Sequence, residues 1–463
     1  MIDDGMNKRD PVWVTQKATK IDLFSLATPQ MRAFHITWLA FFVCFFAWFA
    51  VAPLMPVIKG EFHLTISQIA NINIAAVGVT IFVRLLIGPL CDKYGPRITY
   101  TALLIAGAVP VMGIAFATSY ESLLIFRLSI GAIGASFVIT QFHTSVMFAP
   151  NVVGTANATV GGWGNAGGGV TQSVMPLILA ALVSLGVQQS LGWRMAMFVP
   201  GVMMLIVAGL YWRFTQDTPE GNILDLRARG VLVDAGKKGG WAVFKQAMVN
   251  YRVWMLAITY GACFGIEIFI HAVAASYFVD RFALTLTSAG IAAGSFGLLA
   301  LFARALGGIA SDRVAGRFGL DGRTILLFGL MVGEGVGLLA FSSMDSVGPA
   351  IAAMLVFGLF THMACGSTYA LVPFIDRKAL GGVAGIIGAG GNVGAVAAGF
   401  LLKFTGNVPE ALFILGWVVL GCAVCAVTVR FTAKHKQAEH ALYAQAVAQR
   451  QGMPASAAAL AAE

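Results

Sequence analysis

Twelve long apolar runs, each closed by charge, proline or glycine, occupy most of this chain. They cover about 33–58, 67–91, 97–118, 122–149, 154–186, 193–213, 252–279, 285–311, 323–342, 347–375, 380–405 and 409–431. Most exceed the roughly 20 residues that an α-helix needs to cross about 30 Å of hydrocarbon. In lipid, only helices and closed barrels satisfy every backbone N–H and C=O. The alternation of barrel strands is missing, so the runs predict an all-α polytopic membrane protein with twelve transmembrane helices in the lipid bilayer. Composition agrees. Hydrophobic residues make up 58% of the 463 residues and charged residues 11%, against roughly one quarter charged in a soluble protein. A soluble enzyme and a disordered chain are excluded.

The charges that remain are distributed unevenly. Placing the chain in a bacterial inner (plasma) membrane with both termini in the cytoplasm puts 23 of the 30 Lys and Arg residues on the cytoplasmic side, as the positive-inside rule requires. Four (Lys59, Arg194, Arg281 and Lys403) fall on the other side. The net charge of +9 is therefore a topology signal, and no nucleic-acid partner is expected. The polar stretch 215–251 separates two groups of six spans. It gives the division 1–32 (cytoplasmic segment), 33–214 (first six-helix half), 215–251 (cytoplasmic linker), 252–432 (second half) and 433–463 (cytoplasmic tail). No cleavable signal peptide is evident. The six cysteines are scattered through apolar sequence and read as small buried residues, so no metal or cofactor is expected.

Three arginines lie inside spans: Arg84, Arg127 and Arg304. A charge at the bilayer centre costs at least about 2.5–3.5 kcal/mol on insertion scales. Two of the three belong to an internal repeat. Arg84-LLIGPLC-Asp92 and Arg304-ALGGIAS-Asp312 share the same spacing, and GGWG-Asn165-AGGG in span 5 matches GAGG-Asn392-VGAV in span 11. Repeated halves with a site at their midplane interface are the logic of secondary transporters.

These motifs carry a specific resemblance. GPLCDKYGPR, with Asp92 and Arg97, resembles the loop 2–3 signature of the major facilitator superfamily, although Pro96 interrupts its Gly-Arg. GIASDRVAGRFG, with Asp312 and Arg313, resembles its second-half copy. The two Gly-Asn segments resemble the signatures of the nitrate/nitrite porter family, and the likeness runs over about 33–432. It implies a major facilitator fold and a secondary transporter, not an enzyme. It also places Phe137, Tyr260 and Phe264 at the family's pocket positions.

Read without the family, two buried guanidinia facing one cavity repel, and an anion between them neutralises both. The forked donors of Arg suit a planar oxyanion better than the point charge of Lys. Nitrate fits, with guanidinia at its edges and aromatic rings on its faces. The expected anion site is Arg84 and Arg304, with Asn165, Asn392, Tyr260, Phe137, Phe264, Gly161, Gly164 and Gly388 shaping it. Alternatives stay open: Phe137 and Phe264 as ordinary packing, and Arg84 as a helix-end partner of Asp92.

Glu267 lies near mid-membrane, with His271 one turn on. A lone carboxylate there must be protonated or paired. It serves either as the proton-coupling residue, as in the proton-coupled branch that the sequence resembles, or as a fixed partner, for instance of Arg127. Glu334, His143 and His362 read as structural. The predicted function is import of nitrate with protons by a monomer. The nearest alternative is exchange of nitrate for nitrite, and remoter ones are a membrane haem protein and an anion channel.

Overall fold

The structure, a computed structural model, describes residues 17–149, 151–231, 240–376, 379–439 and 441. Parts of the expected segments 1–32, 215–251 and 433–463 lie outside these residues, as do Lys237, Lys238, Arg377 and Lys378 of the charge distribution.

Spanning helices follow the apolar runs. They are α1 (Pro29–Phe49, continued through a 3₁₀ turn at Ala52–Leu54 into Met55–Phe62), α2 (Ile66–Tyr94) and α3 (Pro96–Gly113). Next come α4 (Tyr120–Ile130, a 3₁₀ stretch Gly131–Ala135, then Ser136–Met147), α5 (Val153–Ser184) and α6 (Phe198–Phe214). The second half holds α7 (Tyr251–Phe282), α8 (Leu286–Leu298, then 300–318), α9 (320–342), α10 (Val347–Ile375), α11 (Leu380–Thr405) and α12 (Val408–Thr428). Local signals start several of them. Thr28 caps α1 ahead of Pro29, Thr65 and Gln68 form a capping box on α2, and Thr285 caps α8.

Among the described residues, eleven helical stretches are long and apolar enough to cross a membrane. One of them, Leu286–Ser342, has 57 residues. Straight, it would extend about 85 Å, far more than one crossing. Gly319 interrupts it with φ +62° and ψ −152°, a conformation that glycine adopts without steric cost. Beyond the bend, Arg323 reaches back to Asp312 (2.8 Å) and Ser311 (3.0 Å). The stretch is thus two crossings, which gives the twelve expected.

Polarity is inverted relative to a soluble protein. Arg84, Arg304 and Glu267 are fully buried, whereas Phe82, Phe116, Leu185 and Phe404 are more than 70% exposed. An apolar exterior around buried charge is what a lipid-embedded bundle requires. Helices α1–α6 and α7–α12 form two halves that meet where α2 packs on α11 and α5 on α8 and α10. On the face where α1 begins and α12 ends, Thr155 Oγ1 of α5 donates to Asp312 Oδ2 of α8 (2.9 Å), tying the halves. On the opposite face, Lys59 pairs with Asp280 (3.7 Å) and Lys403 donates to Asn71 (3.1 Å). Beside these ties lies a vestibule of about 1070 Å³, lined from both halves by residues including His63, Asn73, Tyr277 and Arg281.

Candidate functional site

The site begins with the break in α4. Gly131 and Gly134 lie so close to α2 and to Trp48 that an added Cβ would meet Ala76 O at 2.4 Å and the Trp48 ring at 2.6 Å. The 3₁₀ stretch leaves their carbonyls free to accept from α2. Thr80 Oγ1 donates to Gly131 O, and Arg84 Nε and Nη2 donate to Gly134 O at 3.2 and 3.0 Å. Arg84 Nη1 donates across the interface to Gly388 O of α11. This guanidinium is fully buried, and no carboxylate among the described residues is a hydrogen-bond partner of it. The alternative pairing with Asp92 is not seen in these bonds; the Asp92 side chain lies outside the described residues.

Four aromatic rings pack together beside the two arginines. Tyr260 and Phe264 of α7 stack at 4.8 Å and 11°, and Phe137 of α4 stacks on Tyr369 of α10 at 5.0 Å and 26°. Arg84 Cζ lies 4.9 Å from the Phe137 centroid and 5.3 Å from that of Phe264. Arg304 Cζ lies 5.5 Å from the same Phe264 centroid, so the two guanidinium carbons are within about 11 Å of each other. Phe137 and Phe264 are therefore packed, but packed against charge, in cation–π geometry.

Arg304 differs from its repeat mate. It forms an ion pair with Glu267, and both are fully buried. Glu267 Oε2 also faces His362 Nδ1 (3.4 Å) and Cys365 Sγ (3.7 Å), while Oε1 lies 3.9 Å from His271 Nε2. The expected alternative, a Glu267–Arg127 pair, is corrected: Arg127 Nη1 donates to the Trp48 carbonyl at 2.9 Å. His143 is a hydrogen-bonded core residue, held by Tyr211 (2.6 Å) and the Gln216 carbonyl (2.8 Å). His362, read from sequence in the same way, instead borders the charged centre.

The glycine-rich segments act as a bed for these rings. A Cβ on Gly391 would stand 2.6 Å from Phe264, and one on Gly388 3.1 Å from Phe137 and 3.3 Å from Arg84 Nη1. Gly161 lies under Tyr369. Gly164 is turned elsewhere, against Phe41 of α1, and belongs to helix packing. Asn165 donates to Gly161 O (2.7 Å), and its Oδ1 has no partner among the described residues. Neither side-chain polar atom of Asn392 has one, although the residue is fully buried. One turn separates Asn392 from Gly388, and one turn separates Asn165 from Gly161, so each amide shares a helix face with a glycine of the site.

Comparison with known proteins now decides the family. The sequence model of the Major Facilitator Superfamily matches residues 37–375. High affinity nitrate transporter 2.5 of Arabidopsis thaliana is 41% identical over 419 residues, covering 89% of this chain and 82% of its own length. The chain belongs to the nitrate/nitrite porter family of the Major Facilitator Superfamily. Nitrate transporter 2.1 of Chlamydomonas reinhardtii is 38% identical (89% of this chain, 76% of its own), and nitrate/nitrite transporter NrtP of Nostoc punctiforme 30% (87% and 93%). The fold is also that of a bacterial homolog to the human lysosomal transporter Spinster, in an inward-facing and unoccupied crystal structure. That likeness has a TM-score of 0.60 at 14% identity and covers 95% of this chain and 99% of the other.

Membership makes the chain a transporter, not an enzyme, which removes the haem reading. The superfamily loop signature lies where the helices turn on the face where α1 begins and α12 ends. Arg97 donates through its amide to Asp217 (2.8 Å) and through Nε to the Trp212 carbonyl (2.8 Å), which fixes the α2–α3 turn to the end of α6. Burial pushes the Asp217 carboxyl above the usual range, opposed by the amides of Arg97 and Ile223. Asp312 joins α8 to α5, and Arg313 is exposed. Three neighbours of the charged centre are not singled out as site residues by the sequence: Tyr369, His362 and Cys365. Their one signal is a run of hydrogen-bonding residues, His362 to Tyr369, inside an otherwise apolar span.

Proposed function

We propose that this chain carries nitrate across the membrane together with protons, by alternating access, as a monomer with both termini in the cytoplasm of the bacterial cell. The reading rests on one observation above the others. The repeat provides two equivalent arginines, and among the described residues only Arg304 is neutralised by a carboxylate. Among the described residues Arg84 donates to carbonyls alone, so the pair without an anion carries one excess positive charge that attracts one. When nitrate arrives at the guanidinia, Arg304 turns its donors from Glu267 to the anion. Glu267 then loses its counter-charge, and a buried unpaired carboxylate is costly unless it takes a proton. With one anion and one proton bound, the site has the same net charge as when empty, so both crossings move equal charge.

The relatives named as nitrate transporters support the substrate. Energetics support the proton. An inside-negative potential opposes anion entry by about 2.3 kcal/mol per charge per 100 mV, so accumulation needs a co-transported cation. Uptake of labelled nitrate into proteoliposomes tests the reading. An imposed pH gradient is expected to drive accumulation, with no nitrite inside. Uptake indifferent to the pH gradient and dependent on internal nitrite would replace symport by nitrate/nitrite exchange. Unitary currents would replace it by a channel.

A further inference from the structure

Glu267 is faced from several helices. Arg304 comes from α8, and His362 and Cys365 come from α10 with Tyr369 behind them against Arg304. His271 and Cys263 lie on its own helix α7, and Glu334 of α9 is within electrostatic reach of the cluster. His362 is the member whose protons can be placed by hydrogen bonding. Its Nε2 lies 3.1 Å from the Phe296 carbonyl oxygen. A carbonyl only accepts, so Nε2 carries a hydrogen. In the neutral ring the other nitrogen, Nδ1, is then a bare lone pair.

That lone pair faces Glu267 Oε2 at 3.4 Å, in a fully buried setting, and Nδ1 has no hydrogen-bond partner among the described residues. Two electron-rich atoms opposed in this way are tolerable while Arg304 lies against the same carboxylate oxygen. Once Arg304 turns its donors to an anion, the donor that still approaches Oε2 among the described residues is the weak thiol of Cys365. One proton between the nitrogen and the oxygen turns the repulsion into a charge-assisted hydrogen bond.

We propose that His362 is part of the coupling site: the proton that travels with the anion is held between His362 Nδ1 and Glu267 Oε2, not on Glu267 alone. The proposal rests on the symport reading and adds a residue to it. The proton comes from water at the vestibule. The His271 ring is itself buried, 3.9 Å from Glu267, and Ala272, the next residue, lines the vestibule. The proton leaves to water on the opposite face, the anion leaves unchanged, and no other bond forms or breaks.

The test uses the full chain in liposomes with two readouts. Counterflow of labelled nitrate at equal pH reports a folded, anion-binding carrier. Accumulation on an imposed pH gradient reports coupling. Glu267→Gln is expected to retain counterflow at a reduced rate and to lose gradient-driven accumulation. His362→Gln is expected to do the same, with accumulation at least about tenfold lower, as loss of a hydrogen bond to a charged group implies, and with the pH dependence of uptake flattened. Accumulation by Glu267→Gln at the wild-type level would remove the symport reading itself. If Glu267→Gln is uncoupled but His362→Gln keeps the wild-type pH profile, symport stands and the role of His362 is overturned. Should His362→Gln show no counterflow, the unaltered protein decides. Infrared difference spectra on nitrate addition, with ring-¹⁵N histidine, are expected to show an isotope-sensitive imidazole band, and its absence overturns the proposal.

Discussion

At the scale of single residues, two arginines that are equivalent in the repeat have become chemically unequal. Arg84 is held by carbonyl oxygens and Arg304 by a carboxylate. Replacing either by Lys keeps the charge and removes the fork. Each lost hydrogen bond to a charged group is worth about 1.5–3 kcal/mol. Arg84→Lys and Arg304→Lys are therefore each expected to weaken nitrate binding by roughly ten- to a hundred-fold or more, as measured by calorimetry on purified protein. Normal affinity in either variant would end the two-arginine site. Glu267→Ala leaves Arg304 buried without its partner, a loss of about 3–5 kcal/mol for a broken buried pair. Its thermal unfolding in detergent should fall accordingly. Saturating nitrate should then raise that midpoint more than it raises the wild type's, since the anion replaces the missing charge. Equal shifts in the two proteins would mean that nitrate does not contact Arg304.

At the scale of elements, the glycine-rich helices place rings as much as they ease sliding. In α11, a Cβ at Gly391 would overlap Phe264 and approach Tyr260 at 2.9 Å, so Gly391→Ala should displace the stacked pair and cut transport severalfold while leaving a folded protein. Gly209 in α6 has nothing within 4 Å of an added Cβ. Gly209→Ala is expected to leave transport intact and to stabilise its helix by roughly 0.5–1 kcal/mol. Parallel melting curves and uptake assays on the two variants separate crowding at the site from the helical preference of alanine. The 3₁₀ stretch of α4 shows the same economy: residues Gly131–Ala135 break the regular ladder, and two of the carbonyls released there accept from α2.

At the scale of the whole molecule, ties between the halves exist on both faces, with Thr155–Asp312 on one and Lys59–Asp280 on the other. Alternating access requires that they open in turn. Asp312→Asn weakens the first tie and removes the charged partner of Arg323, which keeps its bond to Ser311. The expected result is a population shift toward opening on that face. It can be read as severalfold faster labelling of a cysteine introduced at Ala370, which packs beside Gly154, in a background without the native cysteines. Unchanged labelling would show that Asp312 serves the bend at Gly319 and not the gate.

The sequence by itself determined the helical membrane class, the twelve crossings and the repeat, because the hydrocarbon core forbids anything but long apolar helices and makes each interior charge conspicuous. Arg84, Arg304 and Glu267 were legible for that reason, and the Gly-Asn segments because they recur. Which groups meet was not legible. Glu267 could have paired with Arg127 as readily as with Arg304 on sequence grounds, and His362 and Tyr369 looked like ordinary residues of an apolar span. Their partners lie far along the chain: Tyr260 and Tyr369 are 109 residues apart, Cys365 and Glu267 98, and Arg84 and Gly388 304. Only the packing of the two halves brings these groups together. The gap between a list of rare charges and a coupled charge centre is therefore closed by tertiary structure, since electrostatic interaction depends on distance in space and on burial, neither of which local spacing encodes.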